Sequence, residues 1–215
     1  MAIGNQLSDM RQEYAQAALD RADVAANPFE QFESWLKAAI EHCQIEPNAM
    51  TLATVEDGRP TTRVVLLKGL DARGLMFYTN YESRKAQDMG KNPFVCLNFW
   101  WPELERQVRV EGKVERLSDE ESDQYFQSRG RGSRLGAWAS PQSRVLENRE
   151  ELEQKVQEIT ARFEGQETFA KPDHWGGYLV RPDYFEFWQG RKSRLHDRLA
   201  YRKQGEDWQI DRLAP

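Results

Sequence analysis

At 215 residues the chain is long enough to bury a substantial core, and seven Trp, seven Tyr and ten Phe separate it from disordered sequences despite 30% charged residues. A formal net charge of −5 speaks against a general nucleic-acid binder, whose footprint is a basic domain. Cys43 and Cys96 form no disulfide framework, His42, His174 and His196 form no metal-binding pattern, and no stretch reaches the roughly 20 apolar residues of a membrane span.

The opening "MAIGNQLSDM" lacks the apolar run of a signal peptide, so the expectation is a cytoplasmic protein. "LSDMRQEYAQAALD" predicts a short helix with a loosely apolar face. "NPFEQFESWLKAAIEHC" predicts a longer one, capped by Asn27, with Pro28 in its first turn and Phe29, Phe32, Leu36 and Ile40 as its buried stripe. From Met50 the period changes to that of strands, broken at "EDGRP" and "DARG", two hairpin turns. "FVCLNFWW" is a further apolar strand. "RQVRVEGKVERL" alternates, with Val108, Val110, Gly112 and Val114 on one side. Ser118 and Glu121 have capping-box spacing and predict a helix through Gln127. "NREELEQKVQEITARFEG" predicts a helix with Leu152, Val156, Ile159 and Phe163 inward and Gly165 at its end. "GYLVRP", "YFEFWQ", "RLHDRLAYRK" and "WQIDRL" return to strands, the last two joined near "QGED". Strands linked by short turns, with neither βαβ alternation nor G-x-G-x-x-G, give an α+β, mainly β fold: a barrel or sandwich decorated by helices.

Cations gather in four places. In "YTNYESRKAQDMGKNP", Ser83 caps a short helix, and Arg84 and Lys85 fall in its first turn, where the helix dipole disfavours them unless an anion binds. In "RVVLLK", four apolar residues predict a strand buried on both faces, with Arg63 and Lys68 at its ends on opposite sides. In "YFQSRGRGSRLGAW", Tyr125 and Arg129 share a helical face, followed by a glycine-rich loop carrying Arg131, Ser133 and Arg134. That loop is either an anion site or a basic exposed surface. In "FWQGRKSRLHDR", a strand would put Arg194, His196 and Arg198 on one face, as a solvated edge or as an anion-facing site. No nucleophile triad or paired-carboxylate arrangement accompanies them, a pattern that suits an enzyme whose cofactor carries the chemistry.

Taken together, "RVVLLK", "FYTNYESRKAQ", "LERQVRVEGKVERL", "YFQSRGRGSRLGAWASPQS", "HWGGYLVRP" and "EFWQGRKSRLHDR" resemble, in order, the pyridoxamine 5′-phosphate oxidase family, flavin enzymes that make pyridoxal 5′-phosphate. The resemblance implies an FMN-binding split β-barrel with peripheral helices, a homodimer with FMN in clefts between subunits, and no metal. By motif, FMN is expected to meet Arg63, Val64, Val65, Leu66, Leu67 and Lys68, then Tyr78, Thr79, Arg84 and Lys85. Gln107, Gln142, Ser143, Trp188 and Arg198 complete that set. The substrate is expected to meet Lys68, Tyr125, Arg129, Ser133, Arg194, Leu195 and His196. Arg11, Gln12, Glu13 and Tyr14 belong to an N-terminal segment, 1–26, expected to be a mobile cover of a single domain, 27–215. Arg194 and His196 are the catalytic candidates, as orienting and electrostatic groups. The resemblance departs at Gly130, a position where the family pattern often has proline.

The implied reaction is oxidation of pyridoxamine or pyridoxine 5′-phosphate at C4′, with dioxygen as final acceptor and hydrogen peroxide as product. Neither nucleic acid nor membrane is an expected partner. Two rival functions are another split-barrel FMN oxidoreductase, which would lack the donors Tyr125, Arg129 and Ser133, and a non-catalytic pyridoxal phosphate carrier, which would not turn over.

Overall fold

Turn chemistry lays out the strands. This computed structural model describes residues 13–43 and 45–215. In chain order they form α1 (Pro28–His42), β1 (Ala49–Glu56), β2 (Arg59–Leu66), β3 (Gly69–Asp71), β4 (Gly74–Asn80), α2 (Arg84–Lys91), β5 (Phe94–Trp101) and β6 (Arg106–Arg116). There follow α3 (Asp119–Ser128), α4 (Arg131–Ala139), α5 (Arg149–Arg162), β7 (Trp175–Gln189), β8 (Asp197–Gln204) and β9 (Asp207–Leu213). Asp57 and Gly58 join β1 to β2 with φ of 50° and 74°, the left-handed pair that a tight Asp-Gly hairpin requires. The sheet order is β2-β1-β5-β6-β7-β4-β3, with β8 beside β7 and β9 beside β8.

The described residues divide into two compact units, one of Ala49–Leu97 and Glu111–Pro182, the other of the described residues up to Asn48 with Asn98–Val110 and Asp183–Pro215. The strands β5, β6 and β7 run through both. In the first unit, Phe126, Leu135, Phe163, Phe169 and Trp175 form a core cluster. Leu52, Leu75, Phe77 and Val180 are buried by the sheet. Gly112 on β6 lies against β7 at Arg181 and Pro182; a Cβ there would lie 2.1 Å from the Arg181 carbonyl oxygen. In the second unit, α1 lays Phe32 against Phe99 (ring centroids 5.0 Å apart) and Trp35 against Phe187 (5.3 Å).

The hairpins, the Ser118–Glu121 capping box and the alternation of β6 follow the sequence reading. Other expectations do not hold. Residues 13–20 are not helical. Side chains take the backbone groups a helix would need: Glu105 Oε2 accepts from Ala15 N (2.9 Å) and Gln16 N (3.1 Å), and Asp197 Oδ2 accepts from Leu19 N (3.1 Å). The buried stripe of α1 is Pro28, Phe32, Trp35 and Ala39, which leaves Ile40 60% exposed. No residue of α5 is fully buried: Ile159 packs half-buried against the core cluster as expected, Val156 is 38% exposed, and Phe163, just past the helix end, is the buried one. "GYLVRP" and "YFEFWQ" are a single strand, β7. "RVVLLK" is not buried on both faces, because β2 is at the end of the sheet order and Val64 is 66% exposed.

Candidate active site

A cavity of about 520 Å³ opens in the first unit, walled by β2, the end of β4, the start of α2, the end of α3, the loop after α4 and the start of β7. Its cations are Arg63, Lys68, Lys85 and Arg129, and among the described residues no carboxylate lines it. The opposite-face problem of Arg63 and Lys68 disappears because β2 ends at Leu66; Lys68, past the strand end, donates its backbone N–H to Met76 O (2.8 Å). Arg129 is the C-cap of α3, one turn beyond Tyr125, so both side chains line the cavity.

Lys85 carries the strongest electrostatic statement. It is buried, and among the described residues its Nζ donates only to neutral oxygens: Thr79 Oγ1 (3.2 Å), Gln142 Oε1 (3.2 Å) and Ser83 Oγ (3.4 Å). Burial, with Arg63 nearby, pushes its ammonium down to about 8, although Asp88 pulls the other way. At the other wall, Tyr78 and Tyr125 stack at 3.8 Å, and the Arg129 guanidinium lies 4.8 Å over the Trp175 ring. Arg129 Nη1 is buried without a hydrogen-bond partner among the described residues. Burial also lowers the Arg129 pKa, against the pull of Tyr125. A buried, unpartnered guanidinium nitrogen and a buried ammonium with neutral ligands are each costly unless an anion completes them. Phosphates beside planar aromatic groups would do so, and FMN with a phosphorylated pyridine fits this donor set.

The second unit holds the other expected group. Trp188, on β7, packs against His196 (centroids 4.6 Å), and Tyr14 meets both rings edge-on at 5.8 Å. Arg194, His196 and Arg198 do not form one strand face. Ser193 and Arg194 have φ of 56° and 62°, in a 3-10 turn over Lys192–Arg194, and β8 begins only at Asp197. Across that turn the Arg191 N–H donates to His196 Nδ1 at 3.1 Å, which leaves the ring proton on Nε2 as a donor. Burial, then Arg194, lowers the His196 pKa, in keeping with a neutral ring. Arg198 stands opposite Trp188 in the β7–β8 ladder. Its Nε and Nη2 each lie 2.8 Å from Glu186 Oε1, and its Nη1 donates to Ala214 O (2.8 Å).

Several expected residues stand apart from the cavity. Leu67 is buried in the core, Arg84 is exposed, and Gln107 is half-buried on β6. The glycine-rich loop is short, since Gly130 caps α4; Ser133 is exposed on that helix. Arg131 and Arg134 are structural, donating to the Phe163 carbonyl (2.7 Å) and the Glu167 carbonyl (2.9 Å). Leu195 and Glu13 are exposed, and Arg11 and Gln12 lie outside the described residues. Trp175 and Asp88 were not singled out by sequence. The first was legible only as the residue opening a strand before two glycines, and an acid on an amphipathic helix carries no such mark.

A cavity with four cations, no carboxylate among the described lining residues and stacked aromatic rings beside it suits phosphorylated, ring-bearing ligands. Two family models match the chain: "Pyridoxamine 5′-phosphate oxidase" over residues 36–163, and "Pyridoxine 5′-phosphate oxidase C-terminal dimerisation region" over residues 175–215. The chain belongs to the pyridoxamine 5′-phosphate oxidase family. It is 55% identical to a pyridoxine/pyridoxamine 5′-phosphate oxidase of Salinibacter ruber, covering 98% of this chain and 100% of that one. A relative of the same name in Burkholderia mallei is 56% identical over 97% and 99%. Among solved structures, PhzG of Burkholderia lata, in complex with tetrahydrophenazine-1-carboxylic acid, matches with a TM-score of 0.86 at 29% identity, covering 95% of this chain and 100% of that one. A pyridoxamine 5′-phosphate oxidase-related, FMN-binding protein of Nostoc punctiforme shares the fold (TM-score 0.68, 17% identity, 89% and 100% covered). The architecture is therefore the split barrel of FMN-binding proteins.

Proposed function

We propose that the cavity recognises two phosphates, that of FMN through Arg63 and Lys85 and that of the substrate through Lys68, Tyr125 and Arg129. The protein is an FMN-dependent oxidase that converts pyridoxine and pyridoxamine 5′-phosphates to pyridoxal 5′-phosphate, and it works as a homodimer. FMN supplies the two-electron acceptor. The finer reading is that each FMN lies where two subunits meet, that dioxygen is the final acceptor and that hydrogen peroxide is formed. A cytoplasmic setting belongs to the same reading; among the described residues no helix is long and apolar enough to cross a membrane.

The residues bind, orient and exclude water. The cations of the cavity hold two near-dianionic groups, which fixes the rings to which those groups are attached. His196, neutral and protonated on Nε2, offers a hydrogen-bond donor to the substrate ring, and Arg194 adds positive charge beside it. Trp188 and Arg198 are assigned to the flavin ring. Tyr14, edge-on to Trp188 and His196, covers that group. With the amine substrate, loss of a hydride equivalent from C4′ leaves an imine, whose hydrolysis gives the aldehyde and ammonia.

The observation that carries this reading is the acid-free cationic lining with the buried Lys85. Purified protein should be yellow, bind about one FMN per chain, and form pyridoxal 5′-phosphate and hydrogen peroxide in equal amounts. Flavin without turnover of either phosphate would mean another flavin reaction. A colourless protein that takes up no FMN would overturn the reading altogether.

A further inference from the structure

Beneath the cavity wall, a buried carboxylate sets the direction of Arg63. Thr54 and Thr61 are directly opposed in the β1–β2 ladder, and Arg63, two residues beyond Thr61, shares its face. Asp88, from α2, is fully buried under them. Thr54 Oγ1 donates to Asp88 Oδ2 at 2.6 Å and Thr61 Oγ1 to the same oxygen at 3.0 Å. Arg63 Nη1 donates to Thr54 Oγ1 and Nη2 to Thr61 Oγ1, each at 2.7 Å, and Nη1 also reaches Leu52 O at 3.3 Å. Arg63 Nη2 itself lies 3.7 Å from Asp88 Oδ2, too long for a direct hydrogen bond.

The donor inventory orients this array. A carboxylate only accepts and a guanidinium only donates, so the Thr54 and Thr61 oxygens accept from Arg63 and their protons are left for the Asp88 side, Thr54 at 2.6 Å being the shorter donor. The two hydroxyls also lie 3.0 Å from each other, within hydrogen-bond distance, which ties the pair together. Burial pushes the Asp88 carboxyl up, but the Thr54 and Thr61 hydroxyls, with Arg63 and Arg84, outweigh it and hold the group below the usual carboxylate range. The charge therefore stays in place at neutral pH. Arg63 still lines the cavity; with Nη1 donating to Thr54 and Leu52 and Nη2 to Thr61, its Nε–H and the second Nη2 hydrogen are the donors left for a ligand.

We propose that Asp88, acting through Thr54 and Thr61, is the positioning residue that aims Arg63 at the phosphate of FMN. The proposal rests on the assignment of Arg63 and Lys85 to that phosphate. It goes further in making cofactor selectivity depend on a residue that does not line the cavity. Simple structural support would be served as well by an apolar pair on the ladder, since replacing a buried ionic array by well-packed apolar groups is often neutral.

The test uses full-length apo-protein and two flavins that differ only in the phosphate. Binding of FMN and of riboflavin is measured by quenching of flavin fluorescence for wild type, Asp88→Asn and Thr61→Val. Wild type should prefer FMN. Both variants should bind FMN about tenfold more weakly, the effect of one compromised charge-assisted contact, while riboflavin affinity stays within about twofold. A parallel loss for both flavins would make the array merely structural and overturn the proposal, and so would unchanged FMN binding. If Asp88→Asn does not fold, Thr61→Val, at a half-buried position on β2, decides alone. Wild-type protein with no preference for FMN would instead overturn the phosphate assignment itself, and this proposal with it.

Discussion

Lys85 ties cofactor affinity to pH. Its free ammonium titrates at about 8, and a bound phosphate dianion must raise that value. Above pH 8 binding therefore takes up a proton, and the FMN Kd should climb, by at most about tenfold per pH unit. Below roughly pH 6 the phosphate loses its second charge and affinity should fall again. A Kd flat from pH 7 to 9.5 would remove Lys85 from the phosphate site. Stability of the apo-protein moves the opposite way with pH. Between about 8 and 10.5 the unfolded chain binds the proton that folded Lys85 has lost, so this group makes the folded state more stable as pH rises. Much of this site is legible in the residues, because clustered cations in an acidic chain need an explanation wherever they fold. Trp175 and Asp88 are not legible in that way. One reads as a core aromatic and the other as a helix surface acid, and only the fold puts them beside Arg129 and under Arg63. The Arg194–His196–Arg198 face failed for a different reason. Period-two alternation presumes extended backbone, and Ser193 and Arg194 are left-handed.

At the scale of elements, Gly130 offers a direct check on the link between α3 and α4. Its φ of −54° and ψ of 144° suit proline, Arg129 before it has the extended backbone (φ −77°, ψ 146°) that precedes proline, and an added Cβ meets nothing within 4 Å. Gly130→Pro should stabilise the protein by about 0.4–1 kcal/mol through the unfolded chain, read from denaturant midpoints. It should leave the KM for pyridoxine 5′-phosphate within about twofold. A loss of stability would show that the α3–α4 link does not accept proline's fixed φ. Gly112→Ala is the opposite case. With its Cβ 2.1 Å from the Arg181 carbonyl oxygen, β6 and β7 would have to part. The expected loss is about 3 kcal/mol or more, visible as a lower melting temperature. Hairpins are readable because Asp-Gly and the residues around it dictate the local backbone. The segment at 13–20 is not, since its conformation is set by Glu105 and Asp197, far along the chain.

For the whole molecule, the family's dimerisation region covers residues 175–215, which include Trp188, Arg194, His196 and Arg198. Val64, Phe94 and Trp100 are large apolar side chains left 66%, 55% and 44% exposed in the isolated chain. Dilution to monomer should therefore reduce flavin retention and activity together, as measured by sedimentation alongside absorbance of bound FMN. The central claim is that the acid-free cavity separates a cofactor phosphate from a substrate phosphate. Its most direct measurement is the steady-state kinetics of Arg129→Ala at saturating FMN. Loss of this charged donor should raise the KM for pyridoxine 5′-phosphate roughly ten- to a hundredfold while about one FMN per chain remains bound. An unchanged KM, or a variant that sheds its flavin instead, would contradict the account.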